Sequence, residues 1–284
     1  SPWGSPWTEG PQSPQFPMAQ LLLRGQTLAD DRGIPHQIEA VLFDKDGTLS
    51  ISEPMLHALA SARVSVASQL LGHPELAAVR GDELVELLGR AYGLGEQAID
   101  PAGATAVGSR QHNLISTATA LAQVGLGWPE ALALGESVFT ATDGLHGQGS
   151  QRRPIATPGL HQLVEALGRA AVACAVISND DGAGIAAFLA SANLTCQFQA
   201  HWSADHTPHK PDPAAVHALC ASLGVPPNRC ALIGDANSDL RMAKQAGVPV
   251  VIGYTAGWSS PPPLDPCFPC LSHWSELEVR VSGA

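Results

Sequence analysis

IEAVLFDKDGTL, residues 38–49, decides the fold. Five of its first six residues are apolar and do not alternate with polar ones. Such a run is a strand buried on both faces, as in a parallel sheet covered by helices. The run stops at Asp44, and Asp46, Gly47 and Thr48 follow at the carboxyl end of the strand. In an open parallel sheet that end is where ligands bind.

The same pattern recurs downstream. Apolar stretches at 172–177, 198–202, 230–234 and 248–252 read as strands. Helices fit between them over 158–169, 182–192, 213–223 and 239–246, the first with Thr157 as cap and Pro158 at its first position. Alternating strand and helix predicts an α/β fold, a Rossmann-like parallel sheet with helices on both faces. Residues 21–24 read as a short strand, 268–271 as a last one, and Ser275 as the cap of a final turn. Upstream of this alternation, Ala and Leu recur at helical spacing over 55–71, 75–92, 111–124 and 129–141, with no strand pattern between. The chain therefore divides into a Pro-, Ser- and Gly-rich leader expected to be disordered (1–17), a core (18–50 and 151–284) and an inserted all-helical cap (51–150).

Composition narrows the function. Hydrophobic residues make up 45% of the 284, enough for a sizeable core. The net charge of −11, without any Lys/Arg cluster, disfavours nucleic acid and anionic membrane surfaces as partners. No apolar run is long enough to span a membrane. Cys174, Cys196, Cys220 and Cys230 stand singly in apolar stretches, which reads as reduced core thiols of a cytoplasmic protein. Cys267 and Cys270 have CxxC spacing but no second pair, so they are read as structural.

Four polar groups fall at strand ends or helix starts: Asp44 with Asp46, Ser178 with Asn179, Lys210, and Asp235 with Asp239. Carboxylates gathered in one crevice repel unless a cation sits among them, and oxygen-only ligands favour Mg2+. A carboxylate beside Mg2+ and a lysine can attack phosphorus while the positive charges neutralise the phosphoryl oxygens. A strand-end hydroxyl beside free backbone N–H groups completes a phosphate cradle.

FDKDGTL (43–49), ISN (177–179), HKPDP (209–213) and IGDANSD (233–239) resemble, in order, the four motifs of the haloacid dehalogenase superfamily. The resemblance implies that Asp44 is a nucleophile forming an aspartyl-phosphate. It makes Asp46 the general acid and base, with its backbone carbonyl also on the metal. Thr48 and Gly47 support the loop. Ser178, Asn179 and Lys210 hold the phosphoryl group, Asp235 binds Mg2+, and Asp239 holds the metal's waters or braces Lys210.

Asp46 argues for phosphatase or phosphomutase chemistry, since a dehalogenase lacks an acid there. Residues 50–153 contain no lysine, which closes the Schiff-base route of phosphonatase-like members. The long gap between Asp44 and Ser178 holds the cap, the layout of phosphoglycolate phosphatase-like enzymes. The expectation is a Mg2+-dependent phosphatase for a small phosphorylated metabolite, phosphoglycolate-like or a sugar phosphate. Its alternatives are a phosphomutase or a non-catalytic binding module. Lys45, between the two aspartates, binds a substrate carboxylate, pairs with a nearby acid or is solvated. Arg63, Arg80, Arg90 and Arg110 are the cap's candidates for anionic substrate groups. His206 and His209 are read as loop residues.

Overall fold

The computed structural model describes residues 18–73, 80–146 and 153–282. The expected leader and the first residues of the expected helix 75–92 lie outside the described residues. The chain opens with β1 (Ala19–Leu23) and β2 (Gln26–Thr27). Then come β3 (Ala40–Phe43), β4 (Ser50–Ile51) and five helices, α1 (Glu53–Leu71), α2 (Leu84–Tyr92), α3 (Ala104–Val107), α4 (Arg110–Gln123) and α5 (Trp128–Asp143). After β5 (Ile155–Ala156) the alternation runs α6 (Leu160–Arg169), β6 (Ala173–Ile177), α7 (Gly182–Ser191), β7 (Ala200–Trp202), α8 (Pro213–Leu223), β8 (Cys230–Gly234), α9 (Asn237–Gln245) and β9 (Val250–Tyr254). It closes with β10 (Cys270–Leu271) and β11 (Leu277–Val281).

The six-stranded sheet has the order β10-β9-β8-β3-β6-β7, and each neighbouring pair is parallel. The unbroken apolar character of 38–43 has its explanation here. Val41 and Phe43 join Leu160, Leu163, Ile185 and Phe188 on one face. Ala40 and Leu42 join Ala215, Val216, Leu240 and Ala243 on the other. Burying each large apolar side chain contributes about 1.5–3 kcal/mol. The inserted helices form their own core, with Val64, Leu84, Leu88, Leu114, Leu121, Val138 and Phe139 in one cluster. Strands β4 and β5 pair antiparallel, and through this two-stranded ribbon the chain leaves the sheet and returns to it.

Four local expectations are corrected. Residues 277–281 are not the end of a capped turn but β11, which pairs antiparallel with β1 from Ala19↔Val281 to Leu23↔Leu277. The turn before it is capped by His273, not Ser275. Helix α6 begins at Leu160 after Gly159, with no cap from Thr157. The Thr157 hydroxyl instead donates to the Thr48 carbonyl (2.8 Å) and accepts from Trp274 Nε1 (2.7 Å), so it fastens the loop after β3. Cys196 is exposed, whereas Cys174, Cys220 and Cys230 are buried.

Glu276 locks the small outer sheet. It pairs with Arg24 (2.9 Å) and accepts the N–H groups of Ser272 and His273 (2.8 Å each). Burial alone would raise its pKa. The two N–H groups and Arg24 outweigh that and bring it down to about 2. A depressed carboxylate pKa adds stability above the unfolded value near 4.5 that is lost as pH falls toward 2. Glu276→Gln is therefore expected to cost about 1–2 kcal/mol at pH 7. The gap to wild type should close between pH 4.5 and 2 in denaturant titrations, and a gap constant with pH would refute the assignment.

Candidate active site

The sheet register builds the site. Phe43 is level with Ile233 of β8 on one side and Val176 of β6 on the other. Asp44 therefore emerges between Gly234 and Ile177, and its N–H donates to the Ile233 carbonyl (3.0 Å). One residue further along the flanking strands stand Asp235 and Ser178. Residues almost two hundred positions apart in sequence thus meet at one sheet end.

Lys210 reaches across this end. Its Nζ donates to Asp44 Oδ1 (2.8 Å), Asp239 Oδ1 (2.7 Å) and the Ile177 carbonyl (3.3 Å). Burial disfavours its charge, but the two carboxylates outweigh burial and raise its pKa above the ordinary lysine value. Burial is also the chief reason that Asp239 is pushed up to about 6, with Lys210 pulling against it and Asp44 adding to it. Burial and then the charge of Asp44 hold Asp235 well above the carboxylate range. Asp239 is not the cap of α9, which starts at Asn237 after Ala236. Its side chain braces Lys210.

Carboxylate oxygens of Asp44, Asp235 and Asp239 lie within 4.8 Å of one another. The acids outnumber the single lysine between them, so this buried oxygen cluster fits a hard metal cation. The Asp46 carboxylate is engaged elsewhere. It accepts from Lys45 Nζ (2.9 Å) and the Ser52 hydroxyl (2.5 Å). Burial would raise the pKa of Asp46, yet the Lys45 charge and these hydrogen bonds prevail and hold it low.

Lys45 is buried and forms a second ion pair with Asp180 (3.0 Å). Of the readings of Lys45, the structure carries pairing with nearby acids, and its burial overturns the solvated one. Ser178 is buried, and its Oγ accepts from the Asp180 N–H (3.1 Å). Asn179 Nδ2 reaches the Val107 carbonyl of the cap at 3.4 Å. His206 stacks on Trp202 with ring centroids 4.5 Å apart, and His209 bonds the Ala204 carbonyl, so both serve their loop.

Gly47 sits at φ +80°, and a Cβ there would lie 2.3 Å from Trp258 Nε1 and 2.6 Å from Asp235 Oδ2. That close approach explains the glycine. Asp235 accepts from the Thr48 hydroxyl (2.9 Å) and from Trp258 Nε1 (2.6 Å). Trp258, Ser52 and Asp180 are the site residues that sequence reasoning missed. Trp258 carries no signal, lying in an irregular loop after β9. Asp180 had one, being a polar residue directly after the second motif, and Ser52 a weaker one, three residues past the first. Asp44, Asp46, Ser178, Asn179, Lys210, Asp235 and Asp239 line one cavity of about 120 Å³, together with cap residues such as Leu59, Arg63 and Thr105.

Asp44 at a strand end, a buried acidic cluster and a bridging lysine thus lie together beneath the inserted helices. The sequence model of haloacid dehalogenase-like hydrolases matches residues 38–247, and the chain belongs to that family. Phosphoglycolate phosphatase of Rhodospirillum rubrum is 32% identical over 231 residues, which are 79% of this chain and 82% of that enzyme. Phosphoglycolate phosphatase of Pseudomonas putida is 31% identical over 123 residues, 43% of this chain and 45% of that one. The crystal structure of a predicted phosphoglycolate phosphatase from Haemophilus somnus superposes with a TM-score of 0.54 at 22% identity. It covers 79% of this chain and 89% of its own, and shows the shared fold. The chain is thus an enzyme, a phosphatase-type hydrolase, as its motifs imply. No helix among the described residues is long and apolar enough to cross a membrane.

Proposed function

We propose that this chain is a Mg2+-dependent phosphatase that hydrolyses a small phosphorylated metabolite through an aspartyl-phosphate on Asp44, with 51–150 acting as cap over the core. The observation that carries this reading is the contact of Lys210 with both Asp44 and Asp239 beside Asp235. An Asp44 oxygen attacks phosphorus, the ester P–O bond breaks, and the leaving oxygen takes a proton from Asp46. Water then gives its proton to Asp46 and attacks the same phosphorus, and the bond to Asp44 breaks. The low pKa of Asp46 suits the second step, and the approach of a phosphate dianion raises it for the first. Lys210, Ser178 and Asn179 hold the phosphoryl oxygens, while Thr48 and Gly47 keep the loop in place.

Asp44, Asp235 and the Asp46 carbonyl would hold Mg2+, with Asp239 beside them. When bound, the ion supplies positive charge that neutralises phosphoryl oxygens. The relatives support phosphoglycolate as the first ester to try. Phosphate release is expected to stop in EDTA and to return with excess Mg2+. Full activity in chelator would exclude the metal. Release of phosphate to water separates this reading from a phosphomutase, which would return it to the substrate.

A further inference from the structure

The cavity over Asp44 has a cap-side wall, to which α1 contributes Arg63, α3 contributes Thr105, and α4 contributes Arg110 and Asn113. The four cap arginines are not equivalent. Arg80 and Arg90 are exposed and face Glu83 and Glu86. Arg110 makes a two-pronged pair with Asp143, at 3.1 and 2.7 Å. Arg63 is different. It is only 6% exposed, and its guanidinium lies 3.9 Å from the centroid of the Phe139 ring. Among the described residues it has no hydrogen bond and no ion pair.

A buried guanidinium without an anion is costly. Burial lowers its pKa from the ordinary arginine value, against the opposing pull of Tyr92 and Asp143. Its surroundings are also unsatisfied. Among the described residues, four buried side-chain polar atoms lack a hydrogen-bond partner, and three of them are Arg63 Nε, Thr105 Oγ1 and Asn113 Oδ1. Buried polar groups are nearly always bonded, so the two orphan donors, Arg63 Nε and the Thr105 hydroxyl, on one wall of one cavity point to a ligand that accepts from both.

We propose that Arg63 determines specificity by receiving a carboxylate on the leaving-group side of the phosphate ester, with the Thr105 hydroxyl as a second donor. The inference rests on the phosphatase reading and names its substrate class: small phosphorylated hydroxy acids. One unpaired cation matches one negative charge, because Asp143 already neutralises Arg110. A second phosphate would bring up to two charges, and sugar hydroxyls would leave the guanidinium uncompensated. A cavity of about 120 Å³ suits a short acid. Asn113 Oδ1 is an acceptor and bonds neither the carboxylate nor the phosphate of such a ligand, so it stands outside the proposed contact.

The test compares phosphoglycolate with 2-hydroxyethyl phosphate, the same ester with its carboxylate replaced by CH2OH. The wild-type kcat/KM should favour phosphoglycolate by at least about 100-fold, as charge-assisted two-pronged recognition allows. Arg63→Gln should reduce that ratio at least about 30-fold, chiefly through KM, with Arg63→Lys recovering part of it. A wild-type ratio near one, or a ratio unmoved in Arg63→Gln, overturns the proposal. Should Arg63→Gln fail to fold, calorimetry on Asp44→Asn decides. It should bind phosphoglycolate at least about 100-fold tighter than the neutral ester, and equal affinities overturn the proposal. The two readings fail separately. Hydrolysis of both esters at equal efficiency removes the carboxylate site and keeps the phosphatase. Absence of hydrolysis with retained preference in binding does the reverse.

Discussion

Asp44→Asn is expected to lower turnover of any phosphate ester by at least about 10⁴-fold while leaving the fold intact. The amide keeps the size of the side chain but offers no nucleophilic oxygen. Stability should not suffer, because Lys210 keeps Asp239 at 2.7 Å and one charge leaves a crowded acidic group. Wild type mixed rapidly with substrate should yield a base-labile phosphoenzyme that the variant lacks. Activity within tenfold of wild type would show that another group attacks phosphorus.

Lys210→Met is expected to strike both activity and stability. Turnover should fall by about 10³-fold, the scale seen when a preorganised charge on the transition state is removed. Stability should fall by about 3–5 kcal/mol at neutral pH, because Asp44 and Asp239 remain buried without their partner. The pH dependence has a definite sign. Asp239 already has its pKa pushed up to about 6 in the presence of Lys210. A carboxylate with a raised folded pKa costs stability as pH rises through the folded value, and less below it. Without the ammonium that cost grows, so the variant should lose more against wild type at pH 8 than at pH 5 in urea titrations. An equal loss at both pH values would mean that the lysine acts through packing alone.

What could be read from the sequence divides along physical lines. Strands β3, β6 and β8 announce themselves because burial on both faces demands unbroken apolar runs, and such runs are local. The polar residues at their ends, Asp44, Ser178 and Asp235, could then be placed together before any pairing was known. Strand β11 could not, although LEVRV (277–281) alternates, because its partner lies at the opposite end of the chain. Thr157 followed by Pro158 looks like a helix start on local grounds. The hydroxyl is claimed instead by Thr48 and Trp274, two distant residues. Lys45 invited a guess about substrate because its neighbour Asp180, the second arm of its ion pair, belongs to another strand end. Of the four cap arginines, nothing in the sequence separates Arg63 from the rest. Its burial without an acidic partner does, while Arg110, which shares the Phe139 ring, is paired with Asp143.

The β4–β5 ribbon carries a consequence for engineering. Ser50 belongs to it, Ser52 follows it directly, and Ser52 holds the carboxylate of Asp46. One of the two partners that hold this carboxylate is therefore supplied by the neck of the insertion, and the other, Lys45, by the loop after β3. A chimera joined after residue 52 would keep the host's own fastening for that carboxylate. One joined before residue 50 would import the donor's, and with it a different hold on Asp46, even if every motif residue were left in place.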